Sequence, residues 1–250
     1  MLEFIIGRAG SGKTEECLRA MREEMQRQPL GPALILLLPE HMTYKVERQL
    51  ASSMGPAGGF MRGYVFGFRR FARQVLLDTG GAARPRITEI GRRLLLKRVL
   101  HEREKELKFF QRAAAQRGFS ASLAEAVDEF KSYGVNPQRL SEAAEQVTNP
   151  RLQDKLQDLS LLYEGFGESM AGRYNDGGDM LDALARRLPE AELVQGAEVW
   201  VDGFIFFNPQ EKNILRELLR YAGNVHVTLA LDEGGCPAEN QRSTGIFDRA

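Results

Sequence analysis

Apolar positions recur with two different periods along this chain, and the change of period divides it. Leu2–Ile6, broken only by Glu3, reads as a short strand. Ala33–Leu38 is an unbroken apolar run of the kind needed by a strand buried on both faces, and Pro39 ends it. Between them, residues 15–27 carry Cys17, Leu18, Met21 and Met25 at helical spacing. Residues 39–44 read as a loop. Tyr64–Phe66 is a third strand, and Phe68, Phe71, Ala72, Val75 and Leu76 give the helix after it an apolar face. Gly80, Gly81 and Pro85 then break the pattern. From Ile87 to about Leu188 only the helical period remains. It is carried by Ile90, Leu94 and Val99, then Leu123, Val127 and Phe130, then Leu152, Leu156, Leu159, Tyr163 and Phe166 on a helix beginning near Pro150. Strand character returns at Val199–Asp202. A helix over 211–221 and a strand over 225–231 follow. No internal repeat or low-complexity segment interrupts this order.

Strands alternating with helices predict an α/β fold with a parallel sheet and right-handed crossovers. The helical middle is too long to be a crossover alone and is expected to pack by itself. The predicted organisation is a discontinuous domain, 1–83 with 190–250, interrupted by a helical subdomain over 84–189. Composition narrows this little. The 34 basic and 34 acidic side chains cancel, so net charge carries no argument about nucleic acid. Cys17 and Cys236 lie far apart, cannot form a four-ligand metal site, and fit a reducing cytoplasm. No apolar run approaches the roughly 20 residues that cross a bilayer, so no membrane association is expected.

The strongest chemical signal joins the first strand to the first helix. Gly7-Arg8-Ala9-Gly10-Ser11-Gly12-Lys13-Thr14 fits G-x-x-x-x-G-K-[ST], the P-loop pattern, in its proper strand-to-helix context. There the glycines let backbone N–H groups face phosphate oxygens, and the helix N-terminus favours negative charge. Lys13 reaches the β/γ-phosphates and the Thr14 hydroxyl meets Mg²⁺. The same glycines also fit a merely tight turn, which Lys13-Thr14 directly after the last of them argues against. With the alternating elements this predicts a RecA-like P-loop domain carrying an inserted all-helical subdomain, with ATP and Mg²⁺ as cofactors.

Asp202, ending the apolar strand Val199–Val201, occupies the place where a Walker B carboxylate holds Mg²⁺, although an aspartate closing a strand is common. Translocating ATPases often follow it with an acid that activates water. Here the next residue is Gly203, which cannot act as a base. Glu211 is near enough in sequence to substitute, and equally suits helix capping. Binding of ATP with weak or absent hydrolysis is therefore expected. The segment Val65–Arg73 interleaves aromatics with Arg69, Arg70 and Arg73, with Arg62, Arg84 and Arg86 on either side. Rings that stack on bases beside guanidinium groups suit single-stranded nucleic acid. A core face of Phe68 and Phe71 under a solvated arginine face explains the same letters. Residues 39–44 and Phe206–Pro209 would share the rim at the carboxyl ends of the strands, where open α/β sheets bind ligands. His101 and His226 show no partner pattern.

The succession GRAGSGKT, LLPEHMT, VFGFRRFARQVL, then LKFFQRAAAQRGF and EFKSYG, then VWVDGFIFFNPQE resembles the N-terminal part of the AddB family, the B subunits of AddAB-type helicase–nucleases, over essentially the whole chain. The chain is more distantly similar to superfamily 1 helicases. It departs from these at Gly203 and in having no glutamine-containing adenine motif ahead of Gly7. The resemblance implies an N-terminal fragment working with an AddA-type partner that supplies the motor. Together the two would resect double-strand breaks and respond to a Chi-type hotspot in single-stranded DNA. It implies Thr43, Phe68, Arg70 and Phe207 as DNA contacts, together with His41, where the family has glutamine, and Arg73, where it has tryptophan. The family's nuclease domain and cysteine-held iron–sulfur cluster are expected only beyond this fragment. Two other readings stay open on the residues alone: a nucleotide or small-molecule kinase with a helical lid, and a binding scaffold with a vestigial P-loop.

Overall fold

Five strands form one parallel sheet in the computed structural model, in the order β1-β5-β4-β2-β3. They are β1 (Leu2–Gly7), β2 (Leu34–Leu37), β3 (Gly63–Phe66), β4 (Glu198–Val201) and β5 (Asn224–Ala230). The structure describes residues 1–55, 59–80, 85, 87–174 and 177–231; Gly81, Arg84, Arg86 and Cys236 lie outside the described residues. Among the described residues nine α-helices connect the strands or lie between them. They are α1 (Lys13–Arg27), α2 (Glu40–Ser53), α3 (Phe68–Asp78), α4 (Glu89–Glu102), α5 (Phe119–Ser132), α6 (Pro137–Gln146), α7 (Pro150–Met170), α8 (Gly177–Arg187) and α9 (Pro209–Tyr221). No described helix is long and apolar enough to cross a membrane.

The described residues fall into two compact units, one from 1–81 with 181 onward, the other from 82–180. In the first, β2 lies between β4 and β3, and all four of its residues are buried. Cys17, Leu18, Met21 and Met25 of α1, with Val46 and Leu50 of α2, pack on one face of the sheet. They meet Leu34, Leu36 and Leu38, with Val65 and Trp200. Full burial of each such side chain is worth about 1.5–3 kcal/mol. The segment expected to be a loop over 39–44 is instead the start of α2. Pro39 occupies its N-cap, and the Glu40 carboxylate reaches across to accept the Arg69 N–H at 3.0 Å. A Cβ on Gly67 would lie 2.2 Å from that carboxyl carbon, so the glycine is what allows the approach.

The second unit contains helices and no strand among its described residues. Its core joins Leu96, Val99 and Leu100 of α4 to Leu123 and Val127 of α5 and to Leu159, Leu162 and Phe166 of α7. Ile90 and Leu94, expected to share the core face of α4, are exposed instead; the buried stripe runs through Leu96, Val99 and Leu100. A buried carboxylate, Asp158 of α7, organises the chain after α4. It accepts the backbone N–H groups of Lys108, Phe109 and Phe110, at 3.1, 2.8 and 2.8 Å. Hydrogen bonds to an ionised group are worth roughly 1.5–3 kcal/mol each.

Three adjacent strands are also tied by one histidine. His226 of β5 places Nδ1 2.9 Å from Glu3 Oε2 on β1 and Nε2 3.0 Å from Glu198 Oε1 on β4, while Trp200 stacks on its ring at 5.2 Å. The absence of a partner pattern around His226 in the sequence is thus corrected: both partners come from other strands. The hydrogen bond to Glu198 is the main cause holding the His226 pKa above its ordinary value; Glu3 adds to it, and partial burial opposes it. A raised folded-state pKa means stability that is fully present below the unfolded histidine value. That contribution is lost as pH rises through the folded value. Urea denaturation across this range should show stability falling with rising pH, and His226→Gln should flatten that dependence. An unchanged slope would show that the clasp does not contribute.

Candidate nucleotide-binding site

Strand β1 delivers Gly7 to the carboxyl end of the sheet, and the chain turns through residues 8–12 before α1 begins at Lys13. Gly10 and Gly12 have φ of +79° and +87°, the left-handed region that favours glycine. A Cβ on Gly7 would lie 2.5 Å from Ser11 Oγ, so close folding of the loop also requires the absence of a side chain there. The loop is closed by the Ser11 N–H donating to the Arg8 carbonyl at 3.1 Å. Lys13 Nζ folds back onto the Gly7 and Arg8 carbonyls at 2.7 and 2.8 Å. Behind this loop stands a helix of 15 residues with Glu15 and Glu16 in its first turn.

The parallel register brings the ends of β4 and β5 beside this loop. Asp202, directly after β4, is buried, and its backbone N–H donates to Leu37 of β2 at 2.9 Å. Each of its carboxylate oxygens accepts a hydroxyl at 2.6 Å, Oδ2 from Thr14 at the start of α1 and Oδ1 from Thr228 on β5. Among the described residues it has no lysine or arginine partner. Burial first, and the Asp202 carboxylate second, push the Cys17 thiol one turn along α1 up to about 12, so Cys17 stays protonated. Thr228 was not anticipated. The signal for it was a hydroxyl set between Val227 and Leu229 in a strand, since buried polar groups are nearly always hydrogen-bonded.

These groups line a cleft of about 470 Å³ with Gly10, Gly12, Met42, Lys45, Phe204 and Ile205. A larger cavity of about 820 Å³ opens at the opposite ends of the strands, lined in part by Arg62, Tyr64, Asp78 and Glu190. Its buried cation is already engaged: Arg62 donates to the Pro32 carbonyl and to both the carbonyl and the carboxylate of Glu24. The smaller cleft is the chemically organised one. Its donor set is hydroxyl and carboxylate oxygen beside a lysine amine and a helix N-terminus, which fits a hard cation accompanying phosphate groups. Among the described residues no group of three or more histidine, cysteine or acidic residues is arranged so that it could hold a metal ion.

Gly203 adopts φ +80°, and a Cβ on it would meet Met42 Sδ at 3.1 Å and Pro39 Cδ at 3.3 Å. Glu211 does not line the cleft. It forms a reciprocal cap on α9, accepting the Asn208 N–H at 3.0 Å while its own N–H donates to Asn208 Oδ1 at 2.9 Å. Burial raises its pKa, partly offset by the Asn208 hydrogen bond.

The residues implied as DNA contacts all lie on elements that follow β2, β3 and β4, but they differ in accessibility. Phe68 is only 5% exposed and packs on Phe204 at 5.3 Å; Phe204 in turn meets the half-buried Phe207 at 5.1 Å. Thr43 is buried, its hydroxyl donating to the Glu40 carbonyl at 3.0 Å. Neither Phe68 nor Thr43 presents a free face; both belong to the packing beneath the rim. Arg70 is exposed, pairs with Glu47 at 3.2 Å and lies over the Phe66 ring. His41 on α2 and Arg73 on α3 are exposed. Tyr44 and Phe206, in the segments expected to share the rim but not singled out as contacts, are exposed, Phe206 by 62%, as is Ile205, which sequence reasoning passed over.

A parallel α/β protein with a glycine-rich strand-to-helix loop set against a buried strand-end carboxylate is the class that this fold and cleft define. The chain belongs to the AddB N-terminal family, whose model, "ADDB, N-terminal", matches residues 4–250. It is 46% identical over 235 residues to the B subunit of the ATP-dependent helicase/deoxyribonuclease of Desulforudis audaxviator, covering 92% of this chain and 20% of that protein. The protein of the same name from Pelotomaculum thermopropionicum is 44% identical over 250 residues, covering 98% and 22%. That from Bacillus cereus is 40% identical over 239 residues, covering 93% and 20%. The chain thus spans about a fifth of the length of these relatives.

The backbone at Gly203 gives a direct test of the rim. Gly203→Ala should cost roughly 1–2 kcal/mol from the left-handed conformation alone. Gly203→Glu should cost at least as much and should not introduce ATP hydrolysis. Urea denaturation and a phosphate-release assay measure the two. Unchanged stability in Gly203→Ala would show that the turn does not need this conformation.

Proposed function

We propose that this chain is the N-terminal, RecA-like region of the B subunit of an AddAB-type helicase–nuclease, interrupted by a helical subdomain, and that it binds ATP with Mg²⁺ at the Gly7–Thr14 loop. In this reading Gly7, Arg8, Ala9, Gly10, Ser11 and Gly12 wrap the phosphates through backbone N–H groups and Lys13 neutralises them. Thr14 and Asp202 hold the magnesium ion, which, when bound, would screen the charge of the phosphate oxygens. The observation carrying this is the meeting of Thr14 and Thr228 with the buried Asp202 carboxylate beside the loop. A buried carboxylate with no cationic partner among the described residues is an environment that favours a metal cation. The family relationship and the relatives' names support the assignment to a multi-subunit helicase–nuclease acting on DNA; an AddA-type partner and a cytoplasmic location are parts of the proposal.

The nucleotide is read as bound without driving translocation. Gly203 stands where a water-activating acid would follow the strand-end aspartate, in a conformation that disfavours one, and Glu211 is held in the α9 cap. Lys13→Ala should weaken equilibrium binding of a fluorescent Mg²⁺–ATP analogue by about 10- to 100-fold, the scale of one charge-assisted hydrogen bond. Asp202→Asn should weaken the Mg²⁺-dependent part selectively. Purified wild-type chain should release phosphate slowly with or without single-stranded DNA. Rapid, DNA-stimulated turnover that Lys13→Ala abolishes would overturn the non-motor reading.

The rim at the carboxyl ends of β2, β3 and β4 is proposed to hold single-stranded DNA and to read a Chi-type hotspot. Exposed His41, Arg70 and Arg73 would meet the strand directly, with Phe207 at the edge of an aromatic block that includes Phe68. Thr43 would support the rim from below. In the assembled complex, Arg70→Ala should leave resection speed intact and diminish the response to hotspot-containing substrate. Phe207→Ala should weaken single-strand binding by roughly 1–3 kcal/mol per stacked base. A resection assay on substrates with and without the hotspot measures this, and a normal response in both variants would remove the rim from the proposal.

A further inference from the structure

We infer that Lys45 of α2 makes this cleft favour a nucleoside triphosphate over the corresponding diphosphate, by meeting the terminal phosphate from the side opposite the Gly7–Thr14 loop. The inference rests on the nucleotide reading above and adds to it a residue that no motif singles out.

Strand order fixes the side from which α2 enters. Along the carboxyl ends of the strands the loop follows β1, Thr228 lies on β5, Asp202 follows β4, and α2 follows β2. The loop and α2 thus face each other across Asp202. Met42, Lys45, Val46 and Gln49 of α2 all line the cleft, as positions three and four apart on one helical face do. Two anchors hold that face in place. At its start Met42 packs on the turn after Asp202, its Sδ 3.1 Å from where a Cβ on Gly203 would lie. At its end the Gln49 amide donates to Glu15 Oε2, in the first turn of α1, at 2.7 Å. Lys45 lies between these anchors, about one helical turn from each. Its stem therefore starts from a wall that runs from the Asp202 turn to the start of α1.

The charges of the cleft are unevenly matched. Its lining holds two acids, and both are engaged without Lys45: Asp202 by Thr14 and Thr228, Glu15 by Gln49. Lys45 is exposed and has no carboxylate partner among the described residues. A compact charge on a flexible stem suits such a place, because it can reach a phosphate oxygen that the helix backbone cannot. A magnesium ion with Lys13 supplies about three positive charges, which balance a diphosphate, whereas a triphosphate carries about four negative charges at neutral pH. The buried Asp202 carboxylate deepens that deficit. In the nucleotide reading Thr14 and Asp202 hold the metal against the two outer phosphates, and Asp202 is the group beside α2. The uncompensated charge therefore falls on the Lys45 side of the cleft.

Isothermal titration calorimetry of this chain tests the assignment with a non-hydrolysable ATP analogue and with ADP, each in excess Mg²⁺. Lys45→Met should weaken the triphosphate analogue by about three- to tenfold and ADP by less than about twofold, the scale of one partly solvated charged contact. The wild-type preference for the triphosphate should collapse in that variant, and Lys45→Arg should keep it. Lys45→Glu should weaken the analogue further than Lys45→Met does. Raising salt should shrink the difference between wild type and Lys45→Met, because the contact is open to solvent. The side chain is exposed, so none of these substitutions removes a packed group. Equal losses for both nucleotides, or an unchanged preference in Lys45→Met, would overturn the role of Lys45 and leave the nucleotide reading in place. Absence of binding to either nucleotide by the wild-type chain would overturn the nucleotide reading, and this inference with it.

Discussion

A single buried carboxylate organises the carboxyl end of this sheet. Asp202 directly follows β4, is anchored to β2 through its own N–H, and takes one hydroxyl from α1 and another from β5. An ionised group cannot stay in such a place without satisfied oxygens, because desolvation costs several kcal/mol. The positions of Thr14 and Thr228 are thus coupled to each other through it. The loop between β1 and α1 inherits that constraint, since Thr14 is the second residue of α1 and Lys13 the first. Burial is the main cause of the raised Cys17 pKa one turn farther along the helix, and the same carboxylate adds to it.

Close approach is the second organising device. Gly67 lets the Glu40 carboxylate reach the start of α3, and Gly203 lets the chain leave β4 against Pro39 and Met42. Together they draw the elements that follow β2, β3 and β4 into one rim. The aromatic rings there are mostly structural. Phe68, Phe204 and Phe207 form a packed block, and the exposed chemistry is left to arginines, His41, Tyr44 and Phe206. A rim with rigid aromatic backing and cationic outer positions agrees with the proposed grip on a single strand, because binding elements work best when their support is already ordered.

The family relationship and this geometry bear on different questions. Relatedness places the chain in the AddB N-terminal family, beside proteins named as B subunits of ATP-dependent helicase/deoxyribonucleases. The left-handed backbone at Gly203 and the capping role of Glu211 supply the local reason for proposing that nucleotide binding here is separated from motor activity. The helical unit contributes its own lesson. Its Asp158 gathers three consecutive backbone N–H groups from a segment that has no regular ladder to satisfy them.

By itself the sequence determined the parallel α/β order, the glycine-rich loop and the strand-end aspartate. These rest on local periods and on residue types whose backbone requirements are short-range. The first turn of α2 escaped it because Pro39-Glu40 also suits a loop; the carboxylate's partner is a backbone amide 29 residues away. The core face of α4 escaped it because apolar and charged residues alternate around that helix without separating into two faces, and neighbouring helices alone chose Leu96, Val99 and Leu100 over Ile90 and Leu94. His226 with Glu3 and Glu198, Asp158 with residues 108–110, and Asp202 with Thr14 and Thr228 were decided only by the tertiary structure. Each joins groups 26 or more residues apart, a distance along the chain over which no periodicity reports proximity. Burial of Phe68 and exposure of Phe206 are of the same kind: the alternation of rings and charges names the candidates, and packing alone selects which of them meet solvent.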